Sequence, residues 1–363
     1  MKFVLTCFIL IAVSSCLAQN AIRSNNIDVY GYYGSILEHD SDVGHLITGH
    51  PTGFSLSYNK KTFGEKEWHS RFGYPDYGLT FIYQDMKNEF LGDNYGLLAH
   101  MNFYFFRRHL MLKIAQGIAY NTNPFDRVSN FQNNVYGSRL LSNTNLLLNY
   151  KQRIYKGLGL QFGTGLIHYS NANIKAPNTS TNTIIINAGF SYDFNYQEDR
   201  QYIKTEEAKD YKEPLHYNLV LRGGINESDV VGMGQFPFFV GSFYVDKRLG
   251  RFSGLQVGVD AFISKFLKEF IYYKSVAFPN DDIKGDEDYK RAGIFLGHEL
   301  YVNKLSLLTQ VGYYVYYPFD FEGRIYNRIG LKYYLSNRLF AALTLKSHGA
   351  RAECLEFGMG VRL

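Results

Sequence analysis

The sequence predicts an all-β fold, a transmembrane antiparallel β-barrel of about 14 to 16 strands. Aromatic residues make up 17% of the chain, with 31 Tyr and 29 Phe. Such a share is more typical of membrane barrels, which place aromatic girdles at both interfaces, than of soluble β proteins. Segments of roughly ten residues alternate in polarity, as membrane strands do. After residue 18, no stretch has the length and apolarity of a membrane helix.

The alternating segments give the positions of the strands. We expect strands in the first half at 27–38, 51–61, 77–84, 95–107, 109–121, 138–153, 156–170 and 181–194. In the second half we expect them at 215–225, 234–248, 250–265, 289–301, 303–318, 323–335, 337–347 and 352–363. Tight connections such as 106–109 and 301–305 alternate with longer ones such as 122–137 and 266–288. This alternation is typical of barrels with short periplasmic turns and long outer loops.

The chain divides into four segments. Residues 1–18 read as a cleaved secretory signal, and residues 19–194 form a first barrel half that carries the candidate site. Residues 195–214 form a charged linker, and residues 215–363 form a second barrel half. We expect the halves to close one large barrel, because a single closure leaves no strand edges and needs no second interface. Two small barrels are the alternative.

Composition excludes several classes of function. Cys354 is the only cysteine after the signal, so no internal disulfide can form. The net charge of +5 is dispersed and forms no basic stripe, which argues against nucleic acid as a partner. The histidines outside the candidate site lack metal-ligand spacing, so we expect no metal and no cofactor. The acidic segment 281–288 could attract divalent cations, but it reads better as a solvated loop.

One predicted hairpin carries polar residues on an apolar face. Successive residues of a strand face opposite sides, so His168 and Ser170 share the face of Leu160 and Phe162, which we expect to meet lipid. In the next strand Asn182 has the same phase and lies at the same end of the hairpin. An imidazole, a hydroxyl and an amide gathered there could act as base, nucleophile and orienting group. The alternative is a set of ordinary polar residues at strand ends near the interface.

The segment HYSNANIKAPN, residues 168–178, resembles a known family. It is similar to the His-x-Ser-Asn-Ala segment of the lipid A 3-O-deacylase (acyloxyacyl hydrolase) family, whose members are eight-stranded outer-membrane barrels. The resemblance is close over residues 156–194 and diffuse over the rest of the first half. It implies that Ser170 attacks an ester of lipid A, that His168 is the base, and that Asn171 contributes to the oxyanion hole.

Two positions depart from the pattern of that family. Asn182 stands at the position of its acidic residue, and Asn173 stands where a small Gly would help backbone amides approach the oxyanion. Asn171 and Asn173 are therefore the expected oxyanion-hole or substrate-binding residues. The spacing of Ser170, His168 and Asn182 is also similar to that of outer-membrane phospholipase A, which uses a Ser-His-Asn triad with calcium. Both resemblances imply hydrolysis of a lipid ester.

The direction of the strands favours one substrate. With the N-terminus in the periplasm and an even number of strands, strand 156–170 runs outward, so His168 lies at the outer leaflet. The expected partners are then lipid A, as part of lipopolysaccharide, and the lipid of the bacterial outer membrane, where the protein is expected to reside. The sequence predicts no oligomeric state.

A competing hypothesis is a non-catalytic porin-like barrel that carries solutes. The second half does not repeat the site, because Ala350 stands where the serine would be in segment 346–356. We expect His348, Glu353 and Glu356 to be polar residues of the lumen or the rim.

Overall fold

The computed structural model describes residues 24–198, 200–204 and 211–363. The predicted signal segment, residues 1–18, lies outside the described residues. The predicted linker, residues 195–214, is described only in part. No helix among the described residues is long and apolar enough to cross a membrane.

The described chain consists mainly of antiparallel strands. The first eight are β1 (Asn25–Ile36), β2 (Thr52–Lys60), β3 (Asp76–Asp85), β4 (Asp93–Phe105), β5 (Leu110–Asn121), β6 (Leu140–Tyr155), β7 (Leu158–Ser170) and β8 (Thr181–Asp193). The next eight are β9 (His216–Asn226), β10 (Phe236–Arg248), β11 (Ser253–Ser264), β12 (Arg291–Val302), β13 (Leu305–Tyr316), β14 (Ile325–Tyr334), β15 (Leu339–His348) and β16 (Arg351–Arg362). The helices are a 3-10 helix at Ser41–Leu46, α1 at Glu67–Arg71 and α2 at Lys265–Ala277.

The strands form two closed barrels. β1 to β8 close when β1 pairs with β8, in a register that places Asn26 opposite Asp193. β9 to β16 close when β16 pairs with β9, with Phe357 opposite Gly223. The prediction of an all-β transmembrane barrel protein with up to sixteen strands is confirmed.

The expectation of one large barrel is wrong. It rested on the need to leave no strand edge, but eight strands that close on themselves already pair every edge. Each half meets that need alone, so nothing requires the halves to share one sheet.

The faces of the strands show which side meets lipid. In β7, Leu160 and Phe162 are 42% and 59% exposed on the outer wall, whereas Gln161 between them is 2% exposed and faces the lumen. Leu343 and Phe357 are likewise exposed on the second barrel. An apolar outside around a polar inside is the arrangement of a membrane barrel. The outer-membrane assignment follows from this fold.

Side chains fill both lumens. In the first barrel, Lys151 Nζ lies 2.8 Å from Asp28 Oδ1, with both side chains largely buried. In the second, the fully buried Arg328 pairs with Asp260 at 2.9 Å and with Glu356 at 2.6 Å. Eight strands enclose an interior just wide enough for side chains to fill. Each barrel is therefore a packed cylinder with a polar core.

Candidate active site

The β7–β8 hairpin brings an imidazole and an amide together on the outer wall. His168 and Asn182 are direct partners in the register of the two strands, and Nδ1 of His168 lies 2.8 Å from Oδ1 of Asn182. Because an amide oxygen only accepts, Nδ1 carries the hydrogen and Nε2 keeps its lone pair. The imidazole thus has a defined tautomer, with its basic nitrogen available.

Ser170 ends β7 on the same face as His168, but it is turned toward the following loop. Its hydroxyl donates to Oδ1 of Asn178 at 3.2 Å and accepts from the N–H of Ala172 at 3.0 Å. Ser170 is 7% exposed. In this structure its hydroxyl is not hydrogen-bonded to His168. The structure therefore joins His168 to Asn182, and it leaves Ser170 two residues away in another hydrogen-bonded group.

The β7–β8 loop, residues 171–180, provides the hydrogen-bond partners of Ser170. Asn178 Oδ1 accepts from the N–H of Asn171 at 2.8 Å as well as from the serine hydroxyl. Asn178 Nδ2 donates to Oδ1 of Asn173 at 3.2 Å. Asn178 was not among the predicted residues. It lies in a loop with no periodicity, and no pattern in the sequence identifies which loop side chain folds back onto a strand end.

Three residues of this loop have a left-handed backbone, and two of them, Ala172 and Asn173, come directly after Asn171. Ala172 has φ of 55° and Asn173 has φ of 59°. Glycine adopts this conformation without strain, and Asn is among the residues that tolerate it best. The backbone at position 173 therefore has the conformation that a glycine favours, although the residue is Asn.

A row of polar residues crosses the outer wall beside this hairpin. Gln116 of β5 pairs with Thr144 of β6, Thr144 pairs with His168, and His168 pairs with Asn182. The Thr144 hydroxyl donates to Gln116 Oε1, and Gln116 Nε2 donates to Ser142 Oγ at 2.8 Å. The sequence carried a signal for this row, because Gln116, Ser142 and Thr144 interrupt the apolar phase of their strands. We refer to Gln116, Thr144, His168 and Asn182 as the polar row.

The three polar residues predicted to face the lumen or the rim of the second half, His348, Glu353 and Glu356, are buried on the lumen side. His348 is buried and shares a hydrogen bond of 3.3 Å with the Tyr314 hydroxyl, as expected from its phase in the strand. Glu353 pairs with Arg291 and Lys346, and Glu356 pairs with Arg328. Within the described ranges, no group of three or more His, Cys, Asp and Glu side chains is placed to hold a metal ion.

Two family models match the chain, one over each barrel. Residues 52–191 match the model of lipid A 3-O-deacylase (PagL). Residues 215–363 match the model of the acyloxyacyl hydrolase C-terminal domain. The chain belongs to the PagL-like family. Membership assigns a hydrolase related to the lipid A deacylases, in keeping with its outer-membrane barrel fold.

The other comparisons add no argument. Solved structures of two mutants of the Rhodopseudomonas blastica porin match over 93% of this chain and 100% of their own, with 10% and 9% identity. Their TM-scores of 0.18 are too low to support a conclusion on fold or function. No curated protein gives a significant match.

Proposed function

We propose that this PagL-like protein hydrolyses the ester-linked acyl chain at the 3-position of lipid A. Ser170 is the nucleophile, His168 is the base and Asn182 orients the base. The observation that supports this most directly is the 2.8 Å contact between Nδ1 of His168 and Oδ1 of Asn182 on the lipid-facing wall. Ser170 lies two residues further along β7, on the same face. A substrate held in the membrane can reach a site there without entering a lumen.

The proton transfers follow from the tautomer of His168. Ser170 Oγ rotates away from Asn178 and gives its proton to Nε2 of His168 as it bonds to the ester carbonyl carbon. Asn182 Oδ1 keeps its hydrogen bond with Nδ1–H and holds the ring. The imidazolium then protonates the departing sugar oxygen, the ester C–O bond breaks, and an acyl-serine forms. Water, deprotonated by His168, releases the fatty acid and restores Ser170.

The β7–β8 loop supplies donors for the oxyanion. The N–H of Asn171 now donates to Asn178 Oδ1, and the N–H of Ala172 donates to Ser170 Oγ. Both point at the region that the serine occupies, where negative charge develops on the carbonyl oxygen. Preorganised backbone donors of this kind stabilise a tetrahedral intermediate. The Asn173 side chain accepts a hydrogen bond from Asn178, so its proposed role is to hold the loop backbone that carries these N–H donors.

The expected position of Ser170 at the outer leaflet favours lipid A as the substrate. With the N-terminus of β1 in the periplasm, every odd strand runs outward, and the end of β7 that carries Ser170 lies at the outer face. Lipid A occupies that leaflet. The polar row offers hydrogen-bonding groups beside the site, which suits a substrate whose ester is flanked by sugar hydroxyls and amides. The alternatives, a solute-carrying barrel and a phospholipase, gain no support from the family matches.

The decisive experiment replaces the nucleophile. We expect Ser170→Ala to assemble in the outer membrane and to leave lipid A at its full mass, whereas the unaltered protein removes one hydroxyacyl chain. Ser336→Ala, in the turn between β14 and β15 of the second barrel, serves as the control and should retain activity. Mass spectrometry of lipid A from cells that produce each variant gives the readout. Loss of an acyl chain in cells with Ser170→Ala contradicts the assignment.

A further inference from the structure

A loop of the second barrel lies against the loop that follows Ser170. The β9–β10 loop, residues 227–235, meets the β7–β8 loop at the same rim. The backbone N–H of Glu227 donates to the carbonyl of Asn173 at 2.9 Å, and its Oε2 accepts from the N–H of Ala176 at 3.0 Å. Gln235 Nε2 donates to the carbonyl of Ile174 at 2.7 Å. These contacts connect the two barrels next to the candidate nucleophile.

Glu227 is also held by hydrogen bonds within its own loop, β9–β10. It is 5% exposed, and its other oxygen, Oε1, accepts from the N–H groups of Gly232 at 3.2 Å and Gly234 at 3.0 Å. Gly232 and Gly234 have φ of 85° and 100°, a conformation that favours glycine. Three backbone donors thus satisfy a buried carboxylate, and charge-assisted hydrogen bonds of this type are the stronger ones. Removing the carboxylate leaves buried donors in both loops without a partner.

The segment that Glu227 contacts lies outside the strands, where side-chain and loop hydrogen bonds position it in place of a strand ladder. Residues 172 and 173 are left-handed and lie outside the strands, so no ladder fixes the direction of the Asn171 and Ala172 N–H groups. Asn173 also donates through Nδ2 to Asp229 Oδ1 at 3.4 Å. Within the first barrel, the N–H of Ile174 donates to the carbonyl of Asn171 at 3.2 Å, and Asn171 Nδ2 donates to the carbonyl of Lys175 at 2.5 Å. The backbone of residues 173–176 is therefore positioned by its own loop and by the second barrel together.

We infer that the second barrel is a positioning module for the site on the first barrel. Glu227 and Gln235 are positioning residues: they hold the β7–β8 loop so that its backbone donors face the carbonyl oxygen attacked by Ser170. This inference rests on the proposed function, and it assigns a role to a barrel whose own lumen is filled. It also accounts for the fusion of two closed barrels in one chain.

The opposite rim offers a matched control. There Arg251, in the β10–β11 turn, pairs with Glu67 of α1, and the rings of Phe72 and Phe252 lie 5.5 Å apart. This contact also joins the barrels, but it lies at the other end of the strands from Ser170. Glu67→Gln removes an ion pair between the barrels without touching the β7–β8 loop.

The test measures reactivity of the nucleophile and turnover in the full chain. Purified protein in detergent is labelled with an alkyl fluorophosphonate, and deacylation of lipid A is followed to give kcat and KM. We expect Glu227→Ala to lower both the labelling rate and kcat by roughly 10- to 100-fold with little change in KM, since misplaced groups cost about that much. Glu227→Gln, which keeps the size and one acceptor, should recover part of the loss. Glu67→Gln should behave as the unaltered protein.

Each outcome decides the inference. Equal labelling and kcat in Glu227→Ala and the unaltered protein, with native mobility on semi-native gels, overturns it and leaves the proposed function intact. If Glu227→Ala does not fold, Gln235→Ala decides in the same way, with a smaller expected loss. An unaltered protein that is not labelled at Ser170 removes the proposed function and this inference with it. A similar loss in Glu67→Gln also overturns the inference, because it shows a general effect of loosening the barrels.

Discussion

Nδ1 of His168 lies 2.8 Å from Oδ1 of Asn182, directly across the ladder between β7 and β8. This pair holds the imidazole in one tautomer, as the proposed role of His168 as the base for Ser170 requires. A neutral amide meets that requirement but adds no charge to stabilise the imidazolium formed during the reaction. In the proposed mechanism, the identity of residue 182 therefore controls how strong a base His168 becomes.

The first prediction concerns this partner. We expect Asn182→Asp to raise kcat about 10-fold, because a charge-assisted hydrogen bond is roughly twice as strong as a neutral one. Asn182→Leu should lower kcat at least about 100-fold, since nothing then selects the tautomer. The rate of lipid A deacylation by the purified protein gives both values. Asn303→Asp, which adds the same charge to an exposed turn of the second barrel, should leave kcat unchanged.

No gain of activity in Asn182→Asp would show that Asn182 does not act on the base. An equal gain in Asn303→Asp would point to the added charge as such, and not to its contact with His168.

The strands and their faces could be predicted from the sequence because both depend on a local rule. Polarity alternates with a period of two, so the outward phase of His168 and Asn182 follows from the strand residues around them. The same reasoning gave the inward direction of His348. In the sequence, Gln116 and Thr144 interrupt the apolar face of their strands. Only the register between the strands shows that they lie in one row with His168.

The closure of the sheets and the loop contacts could not be predicted in this way. Whether β8 pairs with β1 or with β9 depends on contacts between residues far apart in sequence, such as Asn26 and Asp193, and not on any local pattern. Asn178 and Glu227 reach the site from loops, where side chains follow no period. A loop carboxylate that binds backbone N–H groups of another barrel leaves no signal in composition or spacing.

The second prediction concerns the polar row. We expect Gln116→Leu to raise KM for lipid A about 5- to 10-fold with kcat nearly unchanged, because it removes hydrogen bonds to the substrate that are worth about 1 kcal/mol and touches no reacting group. Assembly should be normal, since leucine suits a lipid-facing position. Ile118→Leu, two residues along the same face of β5, is the control. An unchanged KM in Gln116→Leu argues that the row does not contact the substrate.

The third prediction concerns the lumen of the second barrel. Arg328 is fully buried and pairs with both Asp260 and Glu356. Replacing it with Met removes the closer ion pair of both carboxylates, while Glu356 keeps Arg222 Nε at 3.7 Å. Breaking a buried pair in this way typically costs about 3–5 kcal/mol. We expect the free energy of unfolding, measured by urea titration in detergent with circular dichroism, to fall by that amount. A change below about 1 kcal/mol would mean that the network adds little to stability.

The fourth prediction concerns pH and the rim of the second barrel opposite the β9–β10 loop. Glu213, just before β9, lies 2.7 Å from Arg362 Nη1 and 3.2 Å from Arg248 Nε. Partial burial raises the pKa of this carboxyl, but the hydrogen bonds from Tyr211 and Arg362 and the charge of Arg248 outweigh burial, and the net pKa is lowered from 4.5. The folded state therefore binds the proton more weakly than the unfolded state does.

The sign of the effect on stability follows from this direction. Above the unfolded pKa near 4.5, ionised Glu213 stabilises the fold, and this contribution disappears as pH falls through the lower pKa of the folded state. We expect Glu213→Gln to lower the urea midpoint of unfolding at about pH 7, and we expect the difference from the unaltered protein to disappear as pH falls through the lower pKa of the folded state. Glu89→Gln, at an exposed position between β3 and β4, controls for loss of one carboxylate. A difference that persists or grows at acid pH would show that Glu213 acts through packing and not through its charge.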